Sequence, residues 1–200
     1  MNGYHPHKTA IGRKVGVMTT PARWLLTDVL TPQGIRPQSV LDFGSGKAHD
    51  ADLWAQQTGA ITMGWDPYPH RGFEHRTQRP TQEFELVTMN FVLNILDSEK
   101  ERMDALIDAA NFVAPGGLLW VSTRSVNILN RDGRKKGWRK TVTGSWISSP
   151  ARGTVQFGMD NVHIIDLAHR AGLHNLVAQP LPGKPYTGCE CALFRKQPTV

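Results

Sequence analysis

Ser39-Val40-Leu41-Asp42-Phe43-Gly44-Ser45-Gly46 is a short apolar run that opens directly into two closely spaced glycines. Such a run suits a strand buried on both faces, and the glycines suit a turn where backbone comes close to a ligand. Immediately downstream, Asp50 to Gln57 carries Ala51, Leu53, Trp54 and Ala55 in a helical pattern, with Gly59 placed to end it in the left-handed conformation. Ile61-Thr62-Met63-Gly64-Trp65 then predicts a second strand, closed by Asp66. The unit is strand, glycine turn, helix, strand, acid.

Outward from that unit the rhythm continues. Upstream, Thr20 as N-cap, Pro21 in the first turn and Trp24, Leu25, Val29 and Leu30 predict a helix that Pro32-Gln33-Gly34 stops. Downstream, Pro67, Pro69 and Pro80 mark an irregular basic loop, and Phe84 to Asn90 reads as a third strand. Ser98 with Glu101 forms a capping box for a helix that Pro115-Gly116-Gly117 ends, and Leu118 to Ser122 is a fourth strand. Strands alternating with helices predict an α/β fold with a parallel sheet, right-handed crossovers and helices on both faces. The rhythm then changes. A basic segment from Arg124 to Lys140, followed by Thr141-Val142-Thr143 and Thr154-Val155-Gln156-Phe157 around a turn-rich middle, predicts a hairpin or basic flap at about 124–158. Asp160 caps a last helix, and Leu176-Val177-Ala178 with Cys189 to Phe194 predicts a closing antiparallel pair.

Two hundred residues fit one domain, read here as residues 20–200 behind a polar, basic arm over 1–19. A hydrophobic content of 40% excludes a disordered chain. No apolar run approaches the roughly 18–20 residues of a membrane span, and the first residues lack the apolar stretch of a secretory signal, so a soluble, cytoplasmic protein is expected. Twenty-three Lys and Arg against seventeen Asp and Glu give +6, which attracts polyanions and makes nucleic acid a candidate partner. The only cysteines, Cys189 and Cys191, share a strand face but lie too close along one chain for an easy bridge, as in a reduced compartment. They lack the second pair that zinc sites show, so no metal is expected. His163 and His169 are read as structural, and Trp24, Trp54 and Trp120 as core.

Open parallel sheets bind ligands beyond the carboxyl ends of their strands, which places Gly44-Ser45-Gly46 at the expected ligand site. Gly46-Lys47 invites a phosphate-loop reading, but that motif needs glycine where Leu41 stands and Ser or Thr where Ala48 stands. A dinucleotide site needs a third glycine where His49 stands. A nucleoside without phosphate, held through its ribose by Asp66, needs only the two glycines and an acid about twenty residues on.

At this point a resemblance is specific. Val40-Leu41-Asp42-Phe43-Gly44-Ser45-Gly46 looks like the first motif of class I S-adenosylmethionine-dependent methyltransferases, with Asp66 matching their ribose acid. More narrowly, His7-Lys8-Thr9-Ala10-Ile11-Gly12-Arg13, Gly64-Trp65-Asp66-Pro67-Tyr68, Phe91-Val92-Leu93-Asn94-Ile95-Leu96 with Glu101-Arg102, and Thr154-Val155-Gln156-Phe157 resemble the methyltransferases associated with DNA phosphorothioation. The resemblance implies a Rossmann-like class I methyltransferase fold binding S-adenosylmethionine, with Asp42, Gly44, Ser45, Gly46, Asp66, Asn90 and Phe91 at the cofactor. Too little chain lies between Asp66 and Phe84 for the family's usual strand and helix. One edge strand is therefore expected to be missing, and no residue matches the family's adenine-contacting acid.

Amino-methyltransferases carry Asp, Asn or Ser followed by two prolines and an aromatic in the region of Met89-Asn90-Phe91-Val92, where the prolines are absent. Asn90 is the candidate catalytic residue, accepting a hydrogen bond from a target amine while Phe91 stacks on a base; otherwise it only touches the cofactor. Arg13, Arg134, Lys135, Lys136, Trp138 and Gln156 are the candidate substrate-binding residues, the basic ones supplying phosphate contacts and Trp138 an aromatic platform. The leading expectation is methyl transfer to nucleic acid, DNA ahead of RNA, with subunits of a modification system as further partners. The alternatives are a small-molecule methyltransferase with an anionic acceptor, and a catalytically silent subunit that binds nucleic acid.

Overall fold

The computed structural model describes residues 4–9 and 16–198. Arg13 and Lys14 lie outside the described residues. The opening run forms β1 (Ser39–Phe43), flanked by β2 (Ile61–Trp65) on one side and β3 (Phe84–Asn90) on the other, both parallel to it. β4 (Val113–Arg124) continues the parallel set beside β3. The sheet is completed by two antiparallel strands, and its order is β2-β1-β3-β4-β9-β8, with β8 at Leu176–Gln179 and β9 at Cys189–Lys196. This is the mixed α/β arrangement expected, with β2 at the edge as the short 66–83 segment implies. The chain steps out from β1 to β2 and returns to β3 on β1's other side. The reversal opens a crevice at the carboxyl ends of β1 and β3.

Alternation along the strands sorts the core into two layers. Leu41, Phe43, Val87, Met89, Leu119 and Val121 face α3 (Glu99–Asn111) and α5 (Asn161–Arg170), where they meet Leu106, Ile164 and Leu167. Val40, Leu86, Leu118 and Trp120 face the other way, against Leu25 and Val29 near the N-terminus and Trp54 of α2 (Asp50–Thr58). Trp54 and Trp120 are fully buried and Trp24 packs half-buried against them, as read from the sequence.

Several elements differ from the sequence reading. The first helix begins as α1 (Thr20–Trp24), widens into a π-helical stretch over Leu25–Leu30 and tightens over Thr31–Gln33 before Gly34 ends it. Thr19, not Thr20, holds the N-cap position, and its hydroxyl caps nothing because it donates to Asp50. Pro115-Gly116-Gly117 does not separate helix from strand. α3 ends at Asn111, and β4 runs through the Pro-Gly-Gly as an irregularity that shifts the β3–β4 register between Phe84 and Leu86. Gly116, at φ +77°, and Gly117, where a Cβ would lie 2.8 Å from a carbonyl oxygen, make that detour possible.

The largest departure lies at 124–158. Where a hairpin or flap is expected, the chain first forms a helix, α4 (Val126–Lys135), capped by the Ser125 hydroxyl, and antiparallel strands pair around the turn-rich middle only after it. A three-stranded antiparallel sheet follows: β5 (Arg139–Lys140), β6 (Trp146–Ser149) and β7 (Thr154–Gln156). Charge masked the helix, whose buried positions reduce to Leu129 and Gly133; a Cβ on Gly133 would meet the Trp146 ring at 2.6 Å. Thr141-Val142-Thr143 is a turn rather than a strand, with Val142 fully exposed and both threonine hydroxyls donating to Asp97. The lobe closes where it began, because the Met159 amide donates to the Arg124 carbonyl at 3.1 Å.

The capping box holds in three dimensions: Ser98 accepts from the Glu101 amide, and the Glu101 carboxylate accepts from the Ser98 amide. Ser98→Ala is expected to lower stability by about 1 kcal/mol without changing the fold, as checked by urea unfolding.

Candidate active site

The crevice at the carboxyl ends of the parallel strands is a cleft of about 1090 Å³. Its floor follows from register. Asp42, Thr88, Asn90, Trp120 and Ser122 occupy same-face positions on β1, β3 and β4, where pairing sets Asp42 opposite Thr88 and Asn90 opposite Ser122. The Thr88 hydroxyl donates to Asp42 at 3.1 Å, and Ser122 and the Trp120 indole donate to the Asn90 carbonyl oxygen at 2.8 and 3.0 Å.

The glycine turn wraps the end of β2. Gly44 and Ser45 donate backbone amides to the Trp65 carbonyl, and Gly46 donates to Asp66 Oδ2 at 2.9 Å. Asp66 Oδ1 accepts from the Tyr68 amide at 2.9 Å, and His70 Nε2 lies 3.4 Å from Oδ2. Each carboxylate oxygen keeps acceptor capacity, and Asp66 lines the cleft. Gly44 is required twice over: its φ is +70°, and a Cβ there would stand 2.4 Å from the Val92 side chain. Phe91, at φ +60°, holds a left-handed conformation costly for a residue with a side chain, fixed by its amide donating to the Ser122 carbonyl at 2.9 Å.

Two buried carboxylates sit under the turn. Asp42 lies near Asp50, the first residue of α2, whose oxygens accept from the Thr19 amide at 2.7 Å and the Thr19 hydroxyl at 2.5 Å. Burial first, then the Asp50 charge, push the Asp42 carboxyl up to about 8, against the lowering pull of the Thr88 hydroxyl and Arg76.

Two arginines to which the sequence reading gave no role buttress the walls. Arg76, only 3% exposed, reaches from the 66–83 segment to the Ala48 carbonyl and lies over Phe73. Arg102 donates to the Leu96 and Asp97 carbonyls and lies 3.8 Å from the Phe157 ring centroid, its pKa lowered mainly by burial. The narrower resemblance included Arg102 without a role and nothing marked Arg76, since each works by folding back onto backbone from a different element.

All seven residues expected at the cofactor, Asp42, Gly44, Ser45, Gly46, Asp66, Asn90 and Phe91, line this one cleft, and so does Gln156. Gln156 reaches it through Asn94, whose amide nitrogen donates to the Gln156 side-chain oxygen at 2.9 Å. The candidate substrate-binding residues Arg134, Lys135, Lys136 and Trp138 lie at the end of α4 and just beyond it, outside the cleft lining. One expectation is corrected. Asn90 cannot accept from a target amine as expected: an indole N–H only donates, so the Asn90 atom facing Trp120 is the oxygen, and Ser122 fills its second site. What Asn90 has left is its amide nitrogen, buried and without a hydrogen-bond partner.

A family model described as a methyltransferase domain matches residues 20–177. The chain belongs to this family. It is an S-adenosylmethionine-dependent methyltransferase with the Rossmann-like class I fold. Solved structures carry the same fold at low identity. The PH0226 protein from Pyrococcus horikoshii OT3 matches at a TM-score of 0.66 with 12% identity, over 98% of this methyltransferase and 100% of that chain. The N-methyltransferase NodS from Bradyrhizobium japonicum WM9, in complex with S-adenosyl-L-homocysteine, matches at 0.60 with 15% identity, over 98% and 99%. A Burkholderia thailandensis 1,6-didemethyltoxoflavin-N1-methyltransferase, with 1,6-didemethyltoxoflavin and S-adenosylhomocysteine bound, matches at 0.56 with 14% identity, over 88% and 78%. No curated protein matches this methyltransferase. Among the described residues no helix is long and apolar enough to cross a membrane.

Asp42 supplies a pH test of the buried floor. With its carboxyl raised in the fold, the native state binds more protons than the unfolded chain between the ordinary Asp value of 3.8 and about 8, so this group's contribution to stability falls as pH rises through that window. Asp42→Asn, still able to accept from Thr88, is expected to unfold at a higher temperature than the parent at pH 8. Calorimetry should show the difference shrinking towards pH 4. Gly44→Ala is expected to destabilise by about 1–3 kcal/mol through the left-handed backbone and the Val92 clash, seen as a lower melting temperature.

Proposed function

We propose that the chain transfers a methyl group from S-adenosylmethionine to nucleic acid, DNA ahead of RNA, and that it works in the cytoplasm. The reading of the cleft rests on its donor and acceptor set. Asp66, with free lone pairs at the rim, suits a ribose diol; Gly44, pressed by Val92, leaves no room for a side chain where backbone meets ligand; the orphaned amide nitrogen of Asn90 suits an acceptor on cofactor or substrate. When bound, the cofactor supplies a methyl group activated on a sulfonium sulfur. The chain's own contribution is positioning: Asp66 and the glycine turn fix one end of the cleft, and Asn90 and Phe91 define where an acceptor group would lie.

The observation carrying the nucleic-acid half is on the shoulder. Arg134, Lys135, Lys136, Arg139 and Lys140 are exposed, and among the described residues none pairs with a carboxylate, whereas Arg124 and Arg131 both pair with Asp132. Lys136 lies 5.0 Å from the Trp138 ring centroid and Lys140 5.0 Å from that of Trp146, leaving an apolar and cationic strip outside the cleft. Such a strip suits phosphates flanking a nucleotide delivered to the cleft. The narrower likeness to methyltransferases associated with DNA phosphorothioation supports DNA as the polymer. Cys189 and Cys191, buried and unbridged with thiols pushed up to about 12, suit a reducing cytoplasm.

A second reading has its own observation. Arg124, Gln156 and Tyr186 line the cleft while the shoulder cations do not, an arrangement that suits a small anionic acceptor.

Isothermal titration should give micromolar binding of S-adenosylhomocysteine that Asp66→Ala weakens by about ten- to a hundredfold. Duplex DNA binding, followed by anisotropy against salt, should show a log–log slope of about −4.5 if five phosphates are neutralised, reduced in magnitude by about 3 in the Arg134→Glu, Lys135→Glu, Lys136→Glu triple variant. Mass spectrometry of nucleosides from treated DNA and RNA then reads the acceptor. Turnover on metabolites with none on polymers moves the conclusion to the small-molecule enzyme, and DNA binding without transfer moves it to a silent subunit.

A further inference from the structure

Residues 4–9 of the N-terminal arm reach the cleft. Residues Pro6–Thr9 form a single 3-10 turn, and Tyr4, Pro6, His7 and Thr9 all line the cleft. One end of the segment is tied to the accessory sheet by the His5 amide, which donates to the Gly153 carbonyl at 2.7 Å. The other rests on the cofactor side: the His7 imidazole lies against the Tyr68 ring with centroids 4.7 Å apart and planes 30° from parallel. Tyr68 is held through its own amide by Asp66, and Asp66 also acts electrostatically on His7, so the stacked pair neighbours the acid assigned to the ribose. His7 Nδ1 is buried with no hydrogen-bond partner, and His7 is the one histidine of the cleft lining among the described residues.

We propose that His7 and Tyr68 form an aromatic cap over the nucleoside end of the cofactor site, with the 4–9 segment as the strap that carries it. The proposal rests on the reading of Asp66 as the ribose acid. An imidazole and a phenol stacked beside a ribose-binding carboxylate offer a flat, apolar surface with polar edges, the kind a nucleoside packs against, and the unpartnered His7 nitrogen supplies a group that a nucleoside hydroxyl or ring atom can satisfy. Burial, His5, Lys8 and His70 all lower the His7 pKa against the raising pull of Asp66, so the ring is neutral at physiological pH and stacks without bringing a charge into the cleft. Neither residue fills the place of the family's adenine-contacting acid. The cap recognises shape and polar edge rather than charge, which suits a site whose short 66–83 segment leaves no strand to carry that acid.

Titration calorimetry with S-adenosylhomocysteine and with adenosine tests this on the full-length chain. His7→Ala and Tyr68→Ala are each expected to weaken both ligands about tenfold, the size of one stacking contact, while His7→Phe restores most of the loss for His7→Ala. The His7 imidazole proton resonances should shift when adenosine is added to the parent protein. Unchanged affinities in His7→Ala and Tyr68→Ala, with Asp66→Ala still impaired, overturn the cap and leave the ribose assignment standing. Unchanged affinity in Asp66→Ala overturns that assignment instead, and no binding of either ligand by the parent protein overturns both. Matched unfolding temperatures show whether a loss comes from the site or from the fold. A tenfold loss that His7→Phe does not restore, with no resonance shift, assigns the strap a purely structural role and overturns the cap.

Discussion

The carboxylate of Asp66 is the point on which the site depends. One oxygen holds the Gly46 amide of the glycine turn, the other holds the Tyr68 amide at the start of the 66–83 segment, and both bonds are buried or nearly so. Two backbone excursions that leave adjacent parallel strands are thereby fixed to each other at the carboxyl edge of the sheet. Charge-assisted bonds of this kind are stronger than neutral ones, and they hold in place the loop that Gly44 must thread beneath Val92. Everything above that edge inherits its position. Tyr68 carries His7, and Arg76 closes the segment back onto Ala48.

A second constraint shapes the opposite wall. β3 ends in a polar row rather than an apolar one, and the row is satisfied across strands: Thr88 to Asp42, Ser122 and Trp120 to Asn90. Because each donor is fixed by strand register, the unspent amide of Asn90 is an outcome of pairing geometry. The left-handed Phe91 follows at once, and the chain then turns to bring Asn94 against Gln156 and so to join the accessory sheet to the main one. The sheet's polar end and the accessory lobe are thus one connected structure. Arg102 reinforces it from α3 by donating to the Leu96 and Asp97 carbonyls.

The sequence was most legible where local and global signals agreed. β1, α2, β2 and β3 each combine an apolar period with a boundary residue, and the glycine turn and Asp66 could be placed before any fold was known because their spacing follows from the strand–helix–strand unit. The reading failed where tertiary contact overrode local pattern. Pro115-Gly116-Gly117 is a breaker in isolation, yet the neighbouring β3 supplies partners that carry the strand through it. α4 buries so little that its charges hid its period, and its two useful signals, the Ser125 cap and a glycine facing Trp146, needed the partner surface to be recognised. The Asn90 role was misjudged for the same reason: which of its amide atoms is free depends on residues thirty positions away in β4.

The bond between the Met159 amide and the Arg124 carbonyl joins the two ends of the 125–158 lobe. A segment whose ends already meet can vary in length at little cost in closure entropy. This lobe is also pinned between its ends, by Asn94 to Gln156 and by Thr141 and Thr143 to Asp97. A displacement of its small sheet therefore acts on the loop that follows β3, at the rim of the cleft, and is not absorbed where the lobe joins β4.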